Sequence, residues 1–190
     1  TEIYTLSLHD ALPIYVLSAC AGASAYRRSA LDDVGLFDER FFAYMEDVDL
    51  GVRLQFAGYR CLYVPDAVIY HKGSATACRI AGRRFYLLMR NSLFVFFQYM
   101  PLRRLLLWGP AILAVPVLLS VLRRQPLHLA FRALADFVRD LPTVIRRRRQ
   151  VIRNRRIPWS EFRSLLAGPF ALQGRHRPTT RRATREAAHA

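Results

Sequence analysis

Between Arg104 and Arg123 the chain runs for eighteen residues without a charged side chain, and the pairs Arg103-Arg104 and Arg123-Arg124 close the run at its two ends. As an α-helix this stretch would be about 27 Å long at 1.5 Å per residue, close to the hydrocarbon thickness of a bilayer. Any fold of the chain has to bury this run or immerse it. Pro110 and Pro116 lie inside it, so a kinked or re-entrant shape is expected.

The charge pattern divides the chain at the same place. Residues 1–78 carry six basic and ten acidic side chains, whereas residues 79–190 carry twenty-three basic and four acidic. The net charge of +15 therefore lies wholly in the second half, and nearly all of it is arginine, Lys72 being the single lysine. Clustered arginines such as 146–149 attract nucleic-acid backbones. Here they flank an apolar run that no nucleic-acid module needs, and the acidic half would repel such a ligand, so a membrane-associated region is the preferred reading. In this region residues 85–100 read as an apolar helix interrupted at Arg90-Asn91 and broken at Pro101 and Arg103-Arg104. Residues 126–145 read as an amphipathic helix leading into the basic block, with a disordered tail from about residue 174.

The first half has α/β character. Residues 15–20 read as a strand, followed by a turn around Gly22 and a short strand. Ser29 and Asp32 have the spacing of a capping box, which predicts a helix over 29–35. Residues 36–45 mix aromatics and charges and read as a structured loop. Leu50, Leu54 and Ala57 recur at helical spacing and Gly58 stands where a C-terminal glycine belongs, which predicts a helix over 46–57. Residues 59–64 and 67–70 read as two short strands around Pro65-Asp66. Cys20, Cys61 and Cys78 are odd in number and contain no C-x-x-C pair, which favours free thiols in a reducing compartment. The opening TEIYTLSLHDALPI has no secretory pattern and resembles a translated sequencing adaptor, so residues 1–14 are expected to be a non-native leader.

The sharpest chemical feature is Glu46-Asp47-Val48-Asp49 at a predicted helix start, preceded by Asp38-Glu39 and the aromatic run 41–44. A helix N-terminus favours carboxylates. Three of them in four positions among bulky aromatics exceed what capping needs, and desolvation would raise one toward the range of a general base. His71, at a predicted strand end before Lys72-Gly73-Ser74, is a second candidate.

The run VGLFDERFFAYMEDVDLGVRL, then GYR, then VPDAVIYHKGS resembles the second half of a family 2 glycosyltransferase catalytic domain, closest to its non-processive, rhamnosyltransferase-like members. The resemblance covers about residues 16–78, and Arg90-Asn91 and the Pro101 region resemble the C-terminal extension of such enzymes. It implies a partial GT-A half-domain over 15–78, followed by helical, membrane-associated residues 79–173. It further implies Asp47 as the base that deprotonates the acceptor hydroxyl, with Glu46 orienting the base or holding the acceptor. Asp49, Arg53, Asp38 and Glu39 are implied as acceptor-side or supporting residues, and His71 as a ligand of a divalent metal, Mg²⁺ or Mn²⁺, on the donor diphosphate. The D-x-D element of the nucleotide-binding half and the Q-x-x-R-W motif of processive synthases do not occur in the chain. The expectation is a C-terminal fragment of a non-processive, inverting enzyme, inactive alone, that uses a nucleotide-sugar donor and a lipid-linked or glycan acceptor and binds no nucleic acid. A non-catalytic membrane-anchoring module is the alternative. Because such donors are cytosolic, attachment is expected on the cytoplasmic face of the inner membrane, through a hairpin kinked at Pro110 and Pro116 or through helices lying in the interface.

Overall fold

The computed structural model of the chain describes residues 14–64, 66–70 and 82–166. Strand β1 (Ile14–Val16) pairs antiparallel with β2 (Cys61–Tyr63), Tyr15 facing Leu62. Between them lie helix α1 (Arg28–Val34) and helix α2 (Glu46–Phe56), with short 3₁₀ turns at Ala21–Ala23 and Glu39–Phe41. Four helices follow: α3 (Arg83–Tyr99), α4 (Leu102–Leu122), α5 (Leu127–Arg153) and α6 (Trp159–Leu166). The described residues are thus mostly helical around one two-stranded sheet.

Helix α2 forms where its pattern predicts, and Gly58, at φ +87°, ends it by donating to the Gln55 carbonyl. Its neighbours bury it on nearly every side. Leu50, Val52 and Phe56 are core residues, Gln55 Nε2 donates to the Val16 carbonyl at the end of β1, and Gly51 faces Ser18. A Cβ at Gly51 would lie 2.2 Å from Ser18 Cβ and 2.8 Å from its Cα, so this mid-helix glycine is required by close approach of the backbone. Gly51→Ala is expected to destabilise the fold by about 1–3 kcal/mol through overpacking, in spite of alanine's better helix propensity. The denaturant midpoint of the variant is the measurement, and a midpoint at or above that of the parent chain would show that the segment at Ser18 yields freely.

Helices α3 and α5 run in the same direction. Tyr86 pairs with Asp136, Phe94 and Phe97 pack on Phe137, and Arg148 donates to the carbonyls of Phe97 and Met100. Helix α4 returns between them, adding Ile112 and Leu113 to a core of Phe41, Leu93, Phe94, Phe137 and Val144. A second core joins Val52, Phe56, Tyr99, Val151 and Phe162, so α6 closes over α2.

Several local expectations are corrected. The capping box at Ser29 does not form: Arg27 is the N-cap residue, and Asp32 pairs with Arg28. Residues 21–23 form a 3₁₀ turn, and 67–70 lie outside any strand with exposed side chains, so apolar composition alone did not find a pairing partner there. Arg90-Asn91 does not interrupt α3, because tertiary partners satisfy both side chains. Arg103-Arg104 lies inside α4, whose helix continues through Pro110 and Pro116; the chain reverses at residues 123–126 instead. The hairpin expected at the two prolines is therefore not formed.

Helix α4 is long and apolar enough to cross a membrane, by length and composition. Leu106, Leu107 and Trp108 are 73, 71 and 56% exposed, so one side of this apolar helix is left uncovered by the described residues. The basic block is split by the fold: Arg147 pairs with buried Asp38 and Arg148 caps the end of α3, whereas Arg146 and Arg149 are exposed.

Candidate active site at the start of α2

Helix α2 begins from a backbone that ordinary residues resist. Phe42, Tyr44 and Met45 have φ of 63°, 67° and 70°, and Met45 is the N-cap residue. Such conformations cost of order 1 kcal/mol or more each and persist only where surrounding contacts over-determine them. Asn91, fully buried on α3, supplies those contacts: its Nδ2 donates to the carbonyls of Phe41, Ala43 and Tyr44 at 2.8–2.9 Å. Arg90 adds bonds from Nη2 to the carbonyls of Arg40 and Phe41 and receives its own orientation from the Asn91 amide oxygen. Arg83 and Arg84 stack over the Phe42 and Tyr44 rings, holding the outer side of the same loop. The sequence signal was present as a polar pair inside an apolar helix, but it reads locally as an interruption.

Asn91→Ala leaves buried carbonyls without donors, and the expected loss is on the order of 3 kcal/mol of stability from unsatisfied acceptors. Asn91→Asp should lose as much, because a carboxylate cannot donate. Thermal melts of the two variants check this; wild-type midpoints in both would mean that the loop holds its geometry without Asn91.

Beyond the loop, the acidic residues separate into distinct roles. Asp47 is partly exposed; its Oδ2 accepts from the Ala21 amide at 3.3 Å and its Oδ1 from the Val48 amide at 2.8 Å. Two backbone donors thus orient the carboxylate while leaving lone pairs open to a ligand. Glu46 is half-buried, and its Oε2 has no hydrogen-bond partner among the described residues. Burial pushes its carboxyl above the usual range, and the adjacent Asp47 charge acts in the same direction.

Asp49 points the other way. It is 1% exposed, ion-paired to Arg53 at 2.9 Å, and accepts from the Tyr99 hydroxyl. Arg53 spends its remaining donors on the carbonyls of Val34, Gly35 and Leu36, which end α1. Asp38 is buried too, capping the turn Glu39–Phe41 and pairing with Arg40 and with Arg147 of α5. Glu39 is exposed at the start of that turn. Asp49, Arg53 and Asp38 therefore fasten the site to its surroundings and do not face the open side where Asp47 lies. His71 is outside the described residues. No group of three or more His, Cys, Asp or Glu able to hold a metal ion occurs among the described residues.

An oriented carboxylate at a helix start, a second carboxyl raised by burial beside it and a buttressed loop with positive φ are parts from which an acid–base site can be built. Matching by family gives the class: the chain belongs to the glycosyl transferases described as Glycosyl transferase family group 2, matched over residues 3–145. Membership in this group suggests a GT-A type fold. Two curated relatives, each named N-acetylglucosaminyl-diphospho-decaprenol L-rhamnosyltransferase, come from Mycobacterium tuberculosis strains CDC 1551 / Oshkosh and ATCC 25618 / H37Rv. Each is 61% identical over 51 residues, covering 26% of this chain and 17% of the relative's length. The chain thus matches about a sixth of the length of these relatives. No solved structure matches it.

Proposed function

We propose that this chain carries the acceptor-side half of an inverting, non-processive sugar transferase that moves a sugar, rhamnose in the nearest reading, from a nucleotide-sugar donor to a lipid-linked acceptor. The observation that carries the proposal is the Asp47 carboxylate, oriented by the Ala21 and Val48 amides at the open start of α2. In this reading Asp47 takes the acceptor hydroxyl's proton as that oxygen bonds to the anomeric carbon. The bond to the donor diphosphate breaks on the opposite face, and its electron pair leaves with the nucleoside diphosphate. Glu46, beside it, orients the base or holds the acceptor. The 61% identity of a short segment to relatives named for a diphospho-decaprenol substrate supports a lipid-linked acceptor. The nucleotide pocket is proposed to come from residues outside these 190, so that the chain alone does not transfer.

Metal dependence, on Mg²⁺ or Mn²⁺, is proposed from the family resemblance, with His71 as a ligand. The other ligands of the cation are proposed to come from residues beyond those described, which hold no group of three or more His, Cys, Asp or Glu. In the complete enzyme His71→Ala should raise the cation concentration needed for half-maximal rate, and an unchanged metal titration would return His71 to a structural role.

Attachment is proposed to the cytoplasmic face of the inner membrane, with α4 and α5 lying in the interface. The exposed apolar face of α4 supports this, as does an exposed row on α5, Phe131, Val138, Ile145 and Ile152, each followed by an arginine. A true span of α4 would draw Arg132, Asp136 and Arg139 of the neighbouring α5 into hydrocarbon. A cysteine in place of Arg124, with the native cysteines replaced, should resist an impermeant thiol reagent added outside spheroplasts; labelling would establish a span. The function itself is tested by incubating the complete enzyme with nucleotide-sugars and a prenyl-diphosphate-linked sugar acceptor. A product extended by one inverted sugar is expected, and transfer only to water or to soluble glycans would overturn the reading.

A further inference from the structure

At the end of α2 away from Asp47, a cavity of about 370 Å³ opens between the last turns of α1, α2 and α5. That volume is within the range of small-molecule sites. Among the described residues its lining carries five arginines, Arg53, Arg147, Arg153, Arg155 and Arg156, against a single carboxylate, Asp33. Arg156 pairs with Asp33, Arg53 with Asp49, and Arg147 with Asp38. Five arginines against three aspartates leave two positive charges in excess, and Asp38 is shared with Arg40 as well. Helix ends consume part of this set. Arg53 donates to the carbonyls of Val34, Gly35 and Leu36, and Arg156 to that of Ala57. Arg155 is different: its Nη1 is buried with no hydrogen-bond partner among the described residues. A charged donor left so costs free energy, and an anion in the cavity that Arg155 lines offers it an acceptor.

We propose that this cavity binds a water-soluble small molecule bearing a phosphate or diphosphate group, at a site separate from the candidate base. Phe56, on its wall, follows Asp47 by nine residues, which is about 14 Å along α2 at 1.5 Å per residue. The chemistry of the ligand follows from the donors. Guanidiniums bind phosphate oxygens in bidentate fashion, and a concave wall that excludes part of the water strengthens the attraction. The source of the ligand follows from the direction of the cavity. Arg147, Gln150, Val151 and Asn154 line it at i, i+3, i+4 and i+7, so it lies against one face of α5. Ile145 and Ile152, of the exposed apolar row, fall on the opposite side of that helix. With the apolar row on the membrane, as proposed above, the cavity faces water. The choice of a water-borne ligand rests on that placement; the anion site itself rests on the arginines.

The test is binding of inorganic diphosphate to the full chain in neutral detergent, followed by titration calorimetry. At about 0.15 M ionic strength, where diffuse surface charge is screened beyond roughly 8 Å, saturable one-to-one binding is expected. Arg153→Gln with Arg155→Gln should weaken it about tenfold or more, as the loss of charge-assisted hydrogen bonds implies. Asn154→Glu, at an exposed position of the lining, should do the same by adding a carboxylate and removing no arginine. Arg149→Glu changes the net charge by as much as the double variant but lies outside the lining, exposed on α5. It should alter the affinity by less than about threefold. Unchanged far-ultraviolet dichroism confirms that each variant is folded. Absence of saturation, unchanged affinity in both cavity variants, or equal weakening by Arg149→Glu would overturn the site. Phosphatidylglycerol in mixed micelles should not displace diphosphate at matched phosphate concentration. Displacement that is lost in the cavity variants would overturn the water-borne ligand in favour of a lipid headgroup. Sugar transfer is not part of the readout, so an enzyme without that activity leaves the result unchanged.

Discussion

Asp47→Asn in the complete enzyme is expected to lower sugar transfer by about 10²–10⁴-fold, the usual loss when a general base is removed. The amide keeps the size of the side chain, and its oxygen can still accept from the Ala21 or Val48 amide that orients the carboxylate. What it cannot do is take up a proton. Because the side chain is partly exposed and is not part of the buried ion pairs, the thermal midpoint should move little. Single-turnover transfer, measured with donor binding as a control, separates the two quantities. Near-normal turnover with intact donor binding would remove Asp47 from the chemistry.

Two positions further along the same helix, Asp49→Ala should do the reverse. Arg53 is 6% exposed, and without Asp49 it becomes a buried cation whose carboxylate partner is gone, while the Tyr99 hydroxyl loses its carboxylate acceptor and keeps only the long bond to the residue 49 carbonyl. Breaking a buried pair from one side costs about 3–5 kcal/mol, a large share of the stability of an ordinary domain. Tyr99 is already held well above the usual phenol range, by burial first and by the Asp49 charge second, so it has no ionised form available to replace the lost carboxylate. Urea unfolding should show the loss. The pair Asp49→Leu with Arg53→Met should recover part of it, because no uncompensated charge remains; Arg53→Met also frees the carbonyls of Val34, Gly35 and Leu36, so recovery is incomplete. A single Asp49→Ala that unfolds at the parent midpoint would show that water reaches Arg53.

These opposite expectations for neighbouring aspartates mark the boundary of what the chain states locally. Composition and spacing located the cluster at 46–49, the glycine that ends α2, the exposed apolar helix and the change of character near residue 79. All are carried by short-range physics: helix periodicity, glycine at positive φ, and the length of an uncharged run. The implied supporting residues divided once their surroundings were known. Asp49, Arg53 and Asp38 proved to be buried fasteners, Glu39 an exposed turn residue, and Glu46 a carboxyl raised by burial.

The tertiary structure decided which polar groups face inward, since desolvation and hydrogen bonding depend on partners far along the chain. Arg90 and Asn91 read as a break in a helix until Phe41, Ala43 and Tyr44, about fifty residues earlier, present the carbonyls they satisfy. Arg147 and Arg148 read as part of a solvated basic block until Asp38 and the end of α3 claim them. Ser29 is a plausible cap by spacing, yet α1 begins at Arg28 with Arg27 as its N-cap and leaves it no role. The sequence by itself determined where helices and carboxylates stand along the chain. Only packing determined which carboxylate keeps free lone pairs and which is consumed by a buried arginine, because a side chain's ionic role is set by the dielectric and donors around it and neither is a local property.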